Sequence, residues 1–245
     1  MTGDRTFLPN PWPEMAKRSP YDGFCYVLLT ASDGIGCSFL LLPADFTMLM
    51  YPARSVRVRT VSPPGAAGGG EWTPVTSAAT HRPSHCSSLH PYCSAVVIGG
   101  SVHWVMQGGV RDKFHILTYD VRTATAGSIE LPMDRLPESY RVASDANMRL
   151  ASSPEGRLIM LVRDRLKISV WEPSADGGWA QHAVIDAEAT LRSLMPQLPE
   201  PSWQDNTIEF MRSGERSGVL LFYVEEDSEQ RPIAIDLRHQ RDALG

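Results

Sequence analysis

The sequence predicts an all-β protein built from about four antiparallel sheets that follow one another along the chain. Short runs rich in Val, Ile, Leu and aromatic residues alternate with turn residues such as Ser-Asp-Gly and Gly-Gly, a pattern typical of strands joined by hairpins. A strand–turn–strand pattern also recurs, with Gly99, Gly156 and Gly218 spaced about sixty residues apart. The local pattern and the repeat therefore indicate the same architecture.

The composition is that of an ordinary globular protein. The 245 residues suffice for one large β domain or two small ones, and 42% hydrophobic with 21% charged residues argues against a disordered or membrane chain. The net charge of -5 and the scattered basic residues give no general attraction to nucleic acid or to an anionic membrane surface. We expect neither as a partner.

The N-terminal residues and the cysteines bear on localisation. No run approaches the roughly 18 consecutive apolar residues of a membrane helix, and residues 1–13 contain Asp4 and three prolines instead of the apolar stretch of a signal peptide. The prolines indicate an extended lead-in over residues 1–20. Without a signal peptide the four cysteines are expected as thiols in a reducing compartment, which predicts the cytoplasm or the nucleus.

The first unit is the least regular. Residues 24–30 form a predicted strand, Ser32-Asp33-Gly34 the turn, and residues 37–42 the return strand. The glycine-rich segment 62–70 is interpreted as a flexible loop and the polar segment 76–92 as a long connection. Further strands of this unit are predicted at 46–51, 55–61 and 71–75.

Three later units repeat more clearly. Each consists of a strand, a glycine-containing turn, an apolar strand, a polar turn and an amphipathic strand. The strands after the turns, at 102–105, 158–162 and 219–223, are apolar nearly throughout, as expected for a strand covered on both faces. Four-stranded units at this spacing favour a β-propeller over a sandwich.

The predicted architecture is a partial propeller of about four blades in a domain spanning residues 21–240, followed by a tail at 241–245. The last unit has no obvious fourth strand, so either an N-terminal strand completes it or the chain is a fragment of a longer propeller. The second interpretation is favoured. One short helix is predicted at 186–195, because Asp186 can cap its start and Pro196 ends it.

Three segments carry a resemblance to a known family: residues 26–39, the AVVIGGSVHW run at 95–104, and the LTYD strand end at 117–120. They resemble the C-terminal region of plant F-box proteins, in which an F-box-associated, kelch-like β-propeller follows a short helical F-box. The resemblance implies recruitment of a protein target to a cullin ubiquitin ligase through a Skp1-type adaptor. Residues 1–21 contain nothing that resembles an F-box, so adaptor binding is expected only if an F-box is present upstream.

The motifs that could carry chemistry have simpler interpretations. Five soft or borderline metal ligands fall in one segment, but they lack the close pairs from two elements that zinc sites usually use, so a Ser/His-rich surface loop is favoured. The spacing Gly34-x-Gly36-x-x-Phe39 joins two strands and places a phenylalanine where a dinucleotide fingerprint needs glycine. We therefore predict no catalytic, cofactor-binding or metal-binding residue. The five candidate ligands are His81, His85, Cys86, His90 and Cys93.

The favoured functional hypothesis is a non-enzymatic protein-interaction module, not an enzyme, that presents the segments 62–70, 76–92 and 225–231 to an unknown protein target. His103 is expected to be a core histidine bonded to backbone. Two alternatives remain open: an enzyme on a propeller scaffold (a hydrolase or an oxidase), and a truncated product without independent function. Six tryptophans are expected to pack between sheets, and any exposed one would be a binding anchor: Trp12, Trp72, Trp104, Trp171, Trp179 and Trp203.

Overall fold

The structure is a computed structural model. It describes residues 24–30, 39–45, 55–61, 71–79, 87–89, 95–108, 114–136, 148–153, 155–194, 208–210, 219–226 and 229–236. Within these ranges the chain forms sixteen strands and one short helix. The strands are β1 (Phe24–Thr30), β2 (Phe39–Asp45), β3 (Ser55–Val58), β4 (Thr76–Ala79), β5 (Ser87–Leu89), β6 (Val96–Ile98), β7 (Ser101–Gly108), β8 (His115–Asp120), β9 (Thr125–Glu130), β10 (Met148–Ser152), β11 (Leu158–Asp164), β12 (Lys167–Pro173), β13 (Trp179–Asp186), β14 (Ile208–Phe210), β15 (Val219–Glu226) and β16 (Glu229–Asp236).

The strands form four antiparallel sheets in chain order. The first sheet is β1-β2-β3-β4, the third is β10-β11-β12-β13, and the fourth is β14-β15-β16. In the second sheet β5 and β6 both pair with β7, which is followed by β8 and β9. Strands that neighbour each other in the first, third and fourth sheets are also consecutive in the chain, and the predicted fold class is confirmed: an all-β, partial β-propeller of four antiparallel blades.

The first three sheets pack face to face. One cluster of buried residues, the first inter-sheet core, joins Val27, Leu29 and Val56 of the first sheet to residues of the second. Another, the second inter-sheet core, joins residues of the second sheet to Met148 and Met160 of the third. Strand β7 contributes to both, because successive side chains point to opposite faces of a sheet: Trp104 belongs to the first inter-sheet core, and its neighbour Val105 to the second.

In the second and third sheets, burial falls from the early strands to the last. In the third sheet β10 and β11 are almost wholly buried, whereas β13 is mostly exposed. The second sheet shows the same trend from β7 and β8 to β9, which has no fully buried residue. The prediction that the apolar strand after each turn is covered on both faces is confirmed for β7 and β11.

Tight turns join these strands. Gly99 and Gly100 connect β6 to β7 with φ of 58° and 85°, a two-residue hairpin that requires left-handed backbone at both positions. Asp120 closes the turn between β8 and β9, since its Oδ1 accepts hydrogen bonds from the Arg122 and Thr123 amides at 2.9 and 2.8 Å. The aspartate of the LTYD run is therefore a turn residue.

The predicted helix is confirmed as α1 (Ala187–Leu194). The Asp186 carboxylate accepts a hydrogen bond from the Glu188 amide at 3.0 Å, which caps the first turn. Arg192 and Glu188 form an ion pair one turn apart at 2.7 Å. Among the described residues, no helix is long and apolar enough to cross a bilayer.

Two predictions about connections were wrong. The strand expected at 71–75 lies instead at Thr76–Ala79, inside the expected long connection, which also contains β5. The sequence did not indicate β4, because its residues are small or polar. The strand is identified by its pairing with β3 and by the burial of Ala78. The expected loop at 225–231 is a tight hairpin, with Glu226 and Glu229 paired across it. The predicted strand at 46–51 and loop at 62–70 lie outside the described residues.

Candidate interaction surface

The two faces of the first sheet differ in what covers them. Strand β1 places Val27 and Leu29 in the first inter-sheet core. Its alternate residues, Tyr26 and Leu28, point to the opposite face and are 57% and 59% exposed. We call the face of any sheet that is turned away from the following sheet its leading face, so Tyr26 and Leu28 lie on the leading face of the first sheet.

The same face is buried in the sheets that follow. On the first strand of the third sheet, the leading-face residues Met148 and Leu150 are 2% and 6% exposed, because the second sheet packs on them. On the second sheet Val97 lies in the first inter-sheet core. Tyr26 and Leu28 therefore have the chemistry of inter-sheet contact residues, but none of the four described sheets covers them.

The apolar part of this surface continues into a polar margin. The register pairs Tyr26 and Leu28 with Pro43 and Leu41 of β2, both apolar residues by sequence. On β3 the half-buried Arg57 lies on the same face, since the register links Phe24 to Asp45 and Asp45 to Arg57. On β4, Ser77 and Ala79 are exposed there. An apolar centre beside a polar margin is the usual anatomy of a protein contact surface.

The tryptophans with described surroundings are packing residues. Trp104, Trp171 and Trp179 are buried in the two inter-sheet cores, which confirms the prediction, and Trp72 is half-buried. Trp179 also links β13 of the third sheet to β9 of the second, since its Nε1 donates a hydrogen bond to the Glu130 carbonyl at 2.8 Å. Trp12 and Trp203 lie outside the described residues.

His103 has a structural environment, as predicted. Its side chain is buried between the second and third sheets, with Nδ1 3.2 Å from the Val96 carbonyl. Burial lowers the pKa of His103 below its usual value of 6.5, and the backbone hydrogen bonds to Val96 and Ser101 only partly oppose this effect. The buried imidazole therefore bonds to the backbone of its own sheet, as a core histidine does.

Sequence reasoning missed two buried charges. Arg149 and Arg163 are buried on the trailing face of the third sheet, the face opposite its leading face, where the register places them with Leu161 and Ile168. Arg149 Nη1 donates to the Met148 carbonyl at 3.1 Å. Alternation with Met148 and Leu150 was the available signal, but it favoured an exposed face for Arg149 because charged residues are rarely buried.

The predicted chemical motifs receive no structural test. The five candidate zinc ligands and Gly34-x-Gly36 lie outside the described residues. In the part of the chain that the structure describes, no three His, Cys, Asp or Glu side chains come together in a way that could hold a metal ion. Cys25 packs against the first inter-sheet core.

Fold and surface define a class: a propeller-type β protein whose first blade has an exposed apolar leading face. A family profile described as "Domain of unknown function (DUF7595)" matches residues 22–227, and the chain belongs to this family. A search of curated proteins found no significant match.

Two solved structures that the chain matches are described as prolyl oligopeptidases or prolyl endopeptidases. One is prolyl oligopeptidase B from Galerina marginata, bound to a 35-residue hydrolysis and macrocyclization substrate, with 9% identity and a TM-score of 0.40. Another comes from a study of two prolyl endopeptidases, with 12% identity and a TM-score of 0.38. Each match covers 88% of this chain and 25% of the other, so the chain spans about a quarter of the length of these proteins.

Proposed function

We propose that the chain is a non-enzymatic protein-interaction module that binds its partner through the leading face of the first sheet. The observation that carries the proposal is the exposure of Tyr26 and Leu28 on a strand whose alternate residues are fully packed. Neighbouring apolar residues exposed on a rigid scaffold mark contact sites, because they gain free energy when a partner removes them from water.

The expected energetic contribution is sufficient for a specific contact. Burying a Leu side chain completely contributes about 1.5–3 kcal/mol, so covering the exposed half of Leu28 contributes roughly half of that. Tyr26 adds a rigid aromatic ring, a residue type enriched among interface residues that dominate affinity. Ser77 at the margin supplies an exposed hydroxyl that can help to fix the orientation of the partner.

The wider role is carried by the resemblance to F-box-associated propellers. It supports a place as a target-binding subunit in the cytoplasm or nucleus, similar to the substrate-recognition part of a cullin ubiquitin ligase in plants. A Skp1-type adaptor would bind only through an F-box upstream. The net charge of -5 favours protein over nucleic acid or anionic membrane as the partner.

Site-specific photo-crosslinking tests the contact surface. A benzophenone amino acid replaces Tyr26 in one variant and Val184 in a matched control, since Val184 is an exposed apolar residue on the outer strand β13. In an extract of the source cells, we expect a defined product from position 26 and none of the same mass from position 184.

Competition shows whether the product reflects binding. Excess unlabelled chain should remove the position-26 product, Val184→Lys should compete equally well, and Leu28→Lys should fail to compete. Loss of the product with Leu28→Lys as competitor, or an identical product from position 184, would contradict the proposal.

The adaptor requirement has its own test. Purified Skp1-type adaptor should not bind the present chain, and should bind once a known F-box segment is fused upstream. Direct binding of the adaptor by the chain alone would overturn the assignment of the propeller to target recognition.

A further inference from the structure

We infer that the partner binds by adding an extended strand to β1, so that a segment as long as this seven-residue strand pairs with the edge of the first sheet. The inference rests on the proposed function, in which the leading face of this sheet is a protein contact surface. It adds the backbone conformation of the partner segment and the chemistry of its side chains.

Strand β1 lies at the edge of its sheet. Among the described strands only β2 pairs with it, over the seven residues from Phe24 to Thr30 and without a register shift. In an antiparallel pair, the backbone N–H and C=O groups of alternate residues point to the partner strand, and those of the intervening residues point to the opposite edge. The edge of β1 that faces away from β2 is therefore a template for another extended backbone.

The sequence of β1 lacks the features that usually protect an edge strand. Such strands are commonly short, or they carry charged residues, proline or a β-bulge, because an unprotected edge pairs with other chains. β1 is seven residues long and contains no charged residue, no proline and no glycine. It has the composition of a strand that has neighbours on both sides.

The other edge strands with described side chains each show a protective feature. β4 and β6 are short, with four and three residues. β9 contains Gly127 and ends at the exposed Glu130. β13 ends at the exposed Asp186, and its pairing with β12 shifts register. β10 contains the charged Arg149 and is in contact with β6 and β7. This contrast distinguishes β1 as the edge that can accept a further strand.

The exposed side chains of β1 determine the chemistry of the added strand. Tyr26 and Leu28 lie two residues apart on the leading face and are more than half exposed. Residues directly opposite each other in paired strands have Cβ atoms about 4.5–5.5 Å apart, so the added strand would place two alternate side chains against them. Aromatic and β-branched side chains form favourable cross-strand pairs with such residues. The partner segment is therefore extended, with Val, Ile or aromatic residues at alternate positions.

A synthetic peptide tests the pairing on the full chain. The probe Lys-Val-Thr-Val-Thr-Val-Lys has this alternation and carries a fluorophore for anisotropy titrations. We expect saturable binding to the wild type and about three- to tenfold weaker binding to Leu28→Ser, because the exposed half of Leu28 is no longer covered. Val184→Ser, on β13, is the matched control and should bind like the wild type. Both substitutions are neutral, and circular dichroism with unfolding curves establishes that both variants are folded.

N-methylated peptides show whether the backbone takes part. Methyl groups on the valine amides block the donors at one edge of the extended peptide, and methyl groups on the threonine amides block those at the other edge. The side chains are identical, and one edge of the peptide meets β1. We expect one methylated peptide to bind at least about tenfold more weakly than the parent, and the other to bind like the parent. Equal affinities of the two methylated peptides would contradict pairing along one edge.

Amide hydrogen exchange locates the added strand. NMR on the ²H,¹⁵N-labelled chain should show slower exchange at alternate amides within residues 25–29 when the peptide is bound, with β9 and β13 unchanged. Slower exchange at β9 or β13 instead of β1 would overturn the inference. Leu28-dependent dimerisation of the chain alone that excludes the peptide would also overturn it, because the occupant of the edge would then be a second copy.

The two proposals fail in different ways. If the peptide does not bind, but position 26 cross-links to a protein in the extract in a Leu28-dependent manner, the added strand is excluded and the contact surface stands. If the peptide does not bind and position 26 forms no specific product, both proposals fall.

Discussion

The first and third sheets carry the same kind of strand pattern but differ in the cover of their leading faces. Leu150 on the third sheet is buried by the second sheet, whereas Leu28 on the first sheet is exposed. Both are leucines on the first strand of an antiparallel meander of four strands. The difference shows that burial in this fold is decided by the presence of a neighbouring sheet, not by the strand's own sequence.

The largest expected effect comes from truncating the two leucines. Leu150→Ala should lower the free energy of unfolding by about 2–5 kcal/mol, because it removes packed atoms and leaves a cavity in the second inter-sheet core. Leu28→Ala, measured in dilute protein, should cost less than about 1 kcal/mol.

Urea unfolding measures both variants, with Leu29→Ala as the control on the same strand as Leu28. Leu29 is fully buried in the first inter-sheet core, so its truncation should resemble that of Leu150. Equal losses for Leu28→Ala and Leu29→Ala would mean that the leading face of the first sheet is covered after all.

A medium effect on the free energy of unfolding is expected from pH, through His103 between the second and third sheets. His103 faces the third sheet, and burial holds its pKa below 6.5, so the unfolded chain binds more protons than the folded chain as the pH falls through this value. The free energy of unfolding should therefore decrease below pH 6.5, with a contribution from His103 of up to about 1.4 kcal/mol per pH unit.

The contribution of His103 is isolated by substitution. His103→Asn should flatten the pH dependence of unfolding below pH 6.5. If the free energy of unfolding of His103→Asn depended on pH as steeply as that of the wild type, the pKa of His103 would not be lowered in the folded chain.

The smallest effect concerns the hydrogen bond between outer strands. Trp179 Nε1 donates to Glu130, whereas the buried Nε1 of Trp171 has no hydrogen-bond partner. Trp179→Phe should therefore cost about 1 kcal/mol more than Trp171→Phe, because it leaves the Glu130 carbonyl without its donor. Thermal or urea unfolding measures the difference, and an equal or larger cost for Trp171→Phe would contradict this assignment.

Much of the fold was predictable because its signals are local. The turn at Gly99 and Gly100 has the positive φ that glycine permits, and Asp186 caps the start of the helix. The apolar strands β7 and β11 show cover on both faces through their composition. These features depend on neighbours within a few residues, which the sequence displays.

The interaction surface was not predictable, because it depends on contacts between residues that are far apart in the sequence. Residues 25–29 of β1 are apolar at every position, so the strand sequence predicts cover on both faces and gives no sign that Tyr26 and Leu28 are exposed. Strand β4 is defined by its pairing with β3 and not by its small residues. Arg149 and Arg163 are buried by packing of whole sheets, a long-range effect that residue type argues against.

Hydroxyl-radical footprinting of the dilute chain tests the central claim most directly, since it reports the solvent access of individual side chains. We predict rapid modification of Tyr26 and Leu28 and strong protection of Met148 and Leu150 in the same sample. Protection of Tyr26 equal to that of Met148 in the dilute monomer would contradict an open leading face.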